Sequence, residues 1–202
     1  MEKMFLYMNK IKIFCIGHNK TGTTSLKQAL INLKYSVCPI RMMFDSRTNY
    51  LIEFFENKYD KLFHLINCYD AFHDRPWNHL NFYKTLDQQI KNSFFILTIR
   101  NSLNWVESYK RFAQQISLRK CWFYKLISNK IYDNDDFLAD ENNMIQKYEN
   151  RNQEIIQYFK QKNNLLVLDI EQGGGYKEIC NFLKIPIFNH KFPHQRKTNN
   201  NI

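Results

Sequence analysis

The 202-residue chain has only 5 glycines and 4 prolines, and no Pro/Gly/Ser-rich stretch that could serve as a linker. Nothing therefore divides it, and a single domain over 1–202 is expected, large enough to bury roughly 70% of the surface its unfolded form exposes. It also lacks any run approaching the ~18 uncharged apolar residues of a membrane span, so membrane insertion is not expected. The opening MEKMFLYMNKIKIFCIG is broken by Lys10 and Lys12 and leads straight into a loop. It resembles a strand with a short lead-in more than a cleavable signal, and a cytoplasmic protein is expected. The five cysteines, Cys15, Cys38, Cys68, Cys121 and Cys180, include no C-x-x-C pair. Their odd number and wide spacing imply reduced thiols.

Acidic residues are the minority charge, 19 against 29 Lys and Arg, for a net charge of +10. That balance suits an anionic ligand. The basic residues are nevertheless spread along the chain with no nucleic-acid recognition module, so a polynucleotide partner is not expected. What the chain has in quantity is core-forming material: 44% hydrophobic residues, with 17 Phe and 12 Tyr. An ordinary globular core is the consequence.

Apolar runs and helical periodicities alternate. The short continuous apolar run at 12–16 predicts a buried strand, further strands are expected at 61–66, 93–99 and 165–168, and a weaker one at 35–40. Helical spacing predicts helices over 24–34, 50–57, 80–91, 103–115, 121–130, 137–161 and 176–183. This alternation implies an α/β fold, three layers with a central parallel sheet and right-handed crossovers. The helical region at 116–162 is expected to form a cap over it. Ligands then belong beyond the carboxyl ends of the strands, where loops at 17–24, 67–78 and 100–102 gather.

The first of these loops is GHNKTGTTS, residues 17–25. It lies between a strand and a helix start, as a phosphate-binding loop does, but Thr23 stands after the second glycine where a Walker A loop carries lysine. The only lysine is Lys20. Glycine turns and a helix N-terminus still suit an anion, either phosphate or sulfate. A γ-phosphate loses its usual cation, and the 93–99 strand ends in Arg100 instead of the aspartate of a Walker B segment. Arg100 with Ser108, eight residues on, could grip a second anionic group.

Taken together these segments resemble the sulfotransferases that use 3′-phosphoadenosine 5′-phosphosulfate (PAPS), in which a P-loop-like P-K-[ST]-G-T-[ST] holds the 5′-phosphosulfate and a strand-end R-x7-S holds the 3′-phosphate. Lys20-Thr21-Gly22-Thr23-Thr24, Arg100 and Ser108 match, with Asn19 where proline is common. Further matches to a compact branch of that family are Asp70-Ala71-Phe72-His73-Asp74-Arg75-Pro76, Phe95 to Arg100, Trp105 to Ser108, and Phe192-Pro193-His194. The resemblance implies transfer of a sulfuryl group from PAPS to a hydroxyl or amine of a small-molecule or carbohydrate acceptor, with PAP as product and no metal. Lys20 would stand by the bridging oxygen, where charge grows on the leaving group. Gly22 to Thr24, with Thr21 and Ser25, would hold the 5′-phosphate. Asp70, Asp74 and His73 are candidates for the base, an aspartate being favoured over His73. Arg196 and Lys197 either close on the 3′-phosphate or belong to a flexible basic tail, 195–202. Two other classes remain open: a P-loop nucleotide or small-molecule kinase using Mg·ATP, and a noncatalytic PAP- or polyanion-binding protein.

Overall fold

The computed structural model describes residues 11–45, 47–117 and 140–194; the expected helix at 121–130, Arg196 and Lys197 lie outside the described residues. The centre is a four-stranded sheet of β1 (Lys12–Cys15), β2 (Ala71–His73), β3 (Ser93–Ile99) and β4 (Leu165–Asp169) in the order β2-β1-β3-β4, with every pairing parallel. All four residues of β1 are buried, because helices cover both faces of the sheet. The register sets Phe14 opposite both Phe72 and Phe95. Their rings lie 5.1 and 5.6 Å from that of Phe14, so one aromatic row runs across three strands.

Around the sheet lie α1 (Thr23–Asn32), α2 (Tyr50–Phe55), α3 (Asp60–Cys68), α4 (Phe82–Gln89), α5 (Ser102–Ser117), α6 (Glu141–Phe159) and α7 (Tyr176–Leu183). Alternation along the strands sends Ile13, Cys15, Ala71, Ile96 and Leu168 to one face, against Leu26 and Leu30 of α1 and Ile179 of α7. Phe14, Phe72, Phe95 and Leu97 face the other way, onto Phe54, Leu62, Leu86, Ile155 and Phe159. The result is the three-layer α/β/α arrangement expected of the alternating pattern. Trp105, Val106 and Tyr109 of α5 form a further cluster with Met144 and Tyr148 of α6. Of the region expected as a cap, residues 118–139 lie outside the description, and α6 lies against both the sheet and α5.

Two expected strands are not strands. Residues 61–66 belong to α3, where Leu62, Leu65 and Ile66 are buried while Lys61 and His64 are exposed. An i, i+3, i+4 burial pattern is helical, and six residues are too few for that period to stand out from a strand's. Over 35–40 the chain makes one isolated bridge, Val37 to Ala71, before a 3₁₀ turn at Ile40–Phe44. The third strand of the alternation is instead β2, three residues long and flanked by polar groups, too short to register as an apolar run. Among the described residues no helix is long and apolar enough to cross a membrane. Because the sheet is wholly parallel, the segments following Cys15, His73, Ile99 and Asp169 all leave from one edge.

Candidate active site

The loop after β1 is shaped by close approach and internal hydrogen bonds. Ile16 N–H donates to Ile96 O at 2.9 Å, carrying the β1–β3 pairing one residue further. Gly17 then passes so near β3 that a Cβ there would stand 2.0 Å from Thr98 Oγ1. Thr21 Oγ1 donates to His18 O and lies 2.6 Å from Thr98 Oγ1, closing the loop against the same strand. Lys20 and Gly22 both have positive φ, 73° and 97°, and Gly22 is the N-cap of α1. Gly22 brings no side-chain acceptor, and the first turn of α1 carries no acidic residue. The positive end of the helix dipole thus faces the loop without a built-in counter-charge from its own first turn.

Groups from four distant elements hold the loop by its carbonyls. Asn78 Nδ2 donates to Gly17 O at 3.1 Å and to Asn19 Oδ1 at 3.0 Å. Trp105 Nε1 donates to Asn19 O at 2.9 Å, and Arg151 Nη2 donates to Ile16 O and Asn78 O, each at 2.9 Å. Arg100 Nη1 reaches Lys20 O at 3.4 Å. Each peptide directs its N–H opposite to its carbonyl, so anchoring the carbonyls orients the N–H groups as a set.

Most of the residues expected in the site meet at this edge. Thr23 Oγ1 donates to Asp74 Oδ1 at 3.1 Å, joining α1 to the segment after β2. Asp74 Oδ2 lies 2.9 Å from His73 Nδ1. A carboxylate only accepts, so the neutral His73 ring carries its proton on Nδ1 and its lone pair on Nε2. That Nε2 is buried and has no hydrogen-bond partner among the described residues. Trp105 and Phe112 of α5 both touch the loop, the second through the Lys20 ammonium 5.3 Å above its ring. Ser108 is buried three residues after Trp105 and four before Phe112, on the stripe of α5 that faces the loop. Arg100 leaves β3 and pairs with Glu171 at 2.6 Å. Thr24 and Ser25 lie in the first turn of α1, half-buried and buried.

Asp70 is not brought here. It precedes β2, at the opposite edge of the sheet, where its Oδ2 accepts from Ser36 N at 3.0 Å and Ser36 Oγ at 2.7 Å. About three strand residues, near 10 Å, separate it from the loop edge. Its carboxylate anchors the segment before β2. That geometry leaves His73 and Asp74 as the titratable pair at the site.

Burial pushes the Asp74 carboxyl up, but the His73 ring, the Thr23 hydroxyl and the nearby Arg75 more than offset this and hold it below its usual value. Burial, with Arg151 and Arg75 adding repulsion, lowers His18 from 6.5 to about 3. The His18 ring packs edge-on against Trp105 and Tyr109, with centroids at 4.8 and 5.4 Å. The unfolded chain therefore binds a proton that the folded chain refuses between pH 6.5 and about 3. Stability is complete above pH 6.5 and declines as pH falls through that window. Thermal melts at pH 7, 6 and 5 should show a falling Tm in the wild type and a flatter dependence in His18→Gln. Asp74 enters only at lower pH, below the 3.8 of an ordinary aspartate.

Sequence patterns did not single out Asn78, Arg151 or Tyr148. Tyr148 OH accepts from Arg100 N at 2.9 Å and donates to Arg100 O at 3.1 Å, fixing the backbone at the root of that arginine. Arg151 carries one readable signal, a cation next to the buried stripe Met144, Tyr148, Asn152, Ile155 of α6. Burial beside Arg75 lowers its pKa to about 10. For Asn78 no local pattern exists, because its value lies in what it meets across the fold.

A family model described as a sulfotransferase domain matches residues 12–201 of the chain. None of the curated proteins matches it at a significant level.

Proposed function

Because this chain belongs to the sulfotransferase domain family, its general chemistry is sulfuryl transfer, and we propose that it uses PAPS as donor and a hydroxyl group as acceptor. The observation that carries this reading is the contact between the two expected anion grips: Arg100, 80 residues from Lys20, donates to the Lys20 carbonyl. One ligand bearing two anionic groups would engage both. The donor set fits such a ligand, because the α1 N-terminus brings no side-chain acceptor of its own.

When bound, PAPS supplies an activated sulfuryl group whose bond to the bridging oxygen breaks as its bond to the acceptor oxygen forms. Lys20 holds a positive charge where that bridging oxygen gains electrons. The N–H groups at Gly22 to Thr24, with the Thr24 and Ser25 hydroxyls near the same turn, hold a 5′-phosphate, while the Thr21 and Thr23 hydroxyls brace the loop through His18 O and Asp74. Arg100 and Ser108 hold a 3′-phosphate. His73 takes the acceptor proton on Nε2, and Asp74, bonded to Nδ1, keeps the ring in the tautomer that leaves Nε2 basic. The favoured base thus passes from the aspartate to the histidine beside it, with Asp74 as its positioning residue. In-line transfer of this kind asks the protein mainly for placement and charge.

Radiolabelled PAPS with a panel of hydroxyl acceptors tests the reading, alongside thermal shifts with PAP and with Mg·ATP. Transfer of label and stabilisation by PAP are expected. Stabilisation by Mg·ATP alone would point to a kinase, and stabilisation by PAP without transfer to a binding protein.

Glu171 competes for the second grip. Its Oε1 lies 2.6 Å from Arg100 Nη2, and Asn104 Nδ2 donates to its Oε2 at 3.4 Å. A 3′-phosphate must displace this half-exposed carboxylate. Glu171→Gln is therefore expected to tighten PAP binding about two- to fivefold, the worth of one exposed ion pair. Calorimetry that finds PAP binding weakened would show that Glu171 orients Arg100 instead of masking it.

A further inference from the structure

The fold gathers on one side of the sheet a set of cations that lie scattered along the chain. Between Glu2 and Asp45 the sequence has no acidic residue, and from Gln172 to Ile202 it has one, Glu178. These two stretches supply the layer of α1 and α7. Leu26 and Leu30 of α1 and Ile179 of α7 share one cluster against the sheet, and Asn32 Nδ2 donates to Tyr176 OH at 2.7 Å, joining the two helices. Glu178 Oε2 accepts from Gly175 N–H at 2.9 Å, which commits the one carboxylate to its own helix start.

Burial of one side of each helix turns its lysines outward. α1 buries Ser25, Leu26, Ala29 and Leu30, leaving Lys27 half-buried and Ile31, 40% accessible, four residues further along the outer stripe. α7 buries Tyr176, Ile179, Cys180 and Leu183, leaving Lys177 and Asn181 exposed at the same spacing. An exposed lysine follows the end of each helix, Lys34 and Lys184. The chain then returns over Tyr176, with the Phe188 and Phe192 rings 4.8 and 5.2 Å from its own. That return brings Ile187, 50% accessible, and the exposed Lys191 to the junction of the two helices. Among the described residues, none of Lys27, Lys34, Lys177, Lys184 and Lys191 makes an ion pair or a side-chain hydrogen bond. The opposite layer is neutralised pair by pair: Lys58 meets Glu56 at 2.8 Å, Lys84 meets Glu154 at 2.7 Å, and Lys61 and Lys162 pair with Glu53 and Asp87.

We propose that the α1/α7 face docks on an anionic phospholipid surface and holds the protein at a membrane without insertion. All five cations are lysines, compact hydrated charges that suit headgroups free to move, whereas a fixed phosphate or carboxylate favours the fork of arginine. Ile31 and Ile187 project among them and can bury themselves at the headgroup boundary, which a dissolved polyanion does not offer. The anion loop lies at the strand edge and not on the outer side of this layer, so docking leaves it uncovered.

Flotation of the full chain with phosphatidylcholine vesicles, with and without about 30% phosphatidylserine, at about 0.1 and 0.5 M NaCl, is the test. Binding is expected only to the anionic vesicles and only at the lower salt. One lysine near such a surface is worth about a fivefold factor in partitioning, so Lys27→Gln/Lys34→Gln/Lys177→Gln/Lys184→Gln should bind roughly several hundredfold more weakly. Its thermal melt should stay near that of the wild type, and Lys177→Gln/Lys184→Gln alone, should the larger variant fail to fold, should lose about 25-fold. The control Lys58→Gln/Lys61→Gln/Lys84→Gln/Lys160→Gln removes the same charge from the opposite layer and should weaken binding less than about fivefold. Ile31→Ser should cost about fivefold on vesicles and nothing on heparin. Equal losses in the two fourfold variants would reduce the effect to net charge and overturn the proposal, as would equal binding to neutral and anionic vesicles. Retention on heparin or single-stranded RNA that the α1/α7 variant abolishes, with no flotation, would assign the face to a dissolved polyanion and overturn the lipid assignment.

Discussion

Lys20→Ala is expected to lower kcat by roughly a hundred- to a thousandfold, on the order of 3 kcal/mol, as removal of one preorganised charge-stabilising donor does. The loss should fall on kcat far more than on PAP affinity, because the charge that Lys20 meets develops only as the bridging bond breaks. Folding should be nearly unaffected. Lys20 has φ 73° in the native loop, and alanine in that left-handed conformation carries the same steric cost as lysine. The Lys20 side chain is half-buried, with its ammonium above the Phe112 ring. Single-turnover rates with labelled PAPS, run beside thermal melts, check both halves of the expectation. A rate within a few-fold of wild type would remove Lys20 from the chemistry.

The second large effect is on stability, at Gly17. An added Cβ would meet Thr98 Oγ1 at 2.0 Å, Thr98 O at 2.7 Å and Thr98 N at 2.8 Å. Two of those atoms are backbone in β3, which is paired on both sides, by β1 and by β4, and cannot retreat without opening the sheet. Gly17→Ala should cost about 3 kcal/mol, at the upper end of overpacking effects, and should disrupt the Thr21–Thr98 contact that closes the loop. Gly173→Ala is the comparison. Gly173 has φ 89° but nothing within 4 Å of its added Cβ, so only the conformational cost of about 1 kcal/mol applies. Urea unfolding of the two variants should show the difference as a lower midpoint for Gly17→Ala. Equal midpoints would mean that β3 yields at Thr98.

Both effects trace to the loop that the sequence marks most clearly. GHNKTGTTS shows a turn, a helix start and a displaced lysine in consecutive residues, so its place after β1 and before α1 follows from local pattern. The strands β1, β3 and β4 and the helix α7 are legible for a similar reason: each buries a long enough run, or a regular enough stripe, to be seen in a window of its own residues. The strand β2 is not. With three residues it has no period to detect, and it exists because Phe14 and Ile13 offer a parallel partner 58 residues earlier, Ala71 pairing with Ile13. Residues 61–66 failed in the opposite sense, since four apolar residues broken only by His64 satisfy strand and helix patterns alike until burial selects among their positions.

The carboxylates divide along the same line. Asp70 and Asp74 look equivalent in sequence, four residues apart around a short apolar stretch. A strand of three residues puts them at opposite edges of the sheet, one bonded to Ser36 and the other to His73 and Thr23. Only one edge gathers the loop, the α1 N-terminus and Arg100.

The chain by itself determined the layered α/β class and the place of GHNKTGTTS between a strand and a helix, because each depends on neighbours within about one helical turn or one strand. Tertiary structure decided how the loop is held and which of the two aspartates stands beside it. Asn78, Trp105 and Arg151 reach its carbonyls from 61, 86 and 135 residues away. Hydrogen bonds over such separations leave no period in the sequence, since their geometry comes from the packing of whole elements and not from the spacing of side chains along any one of them.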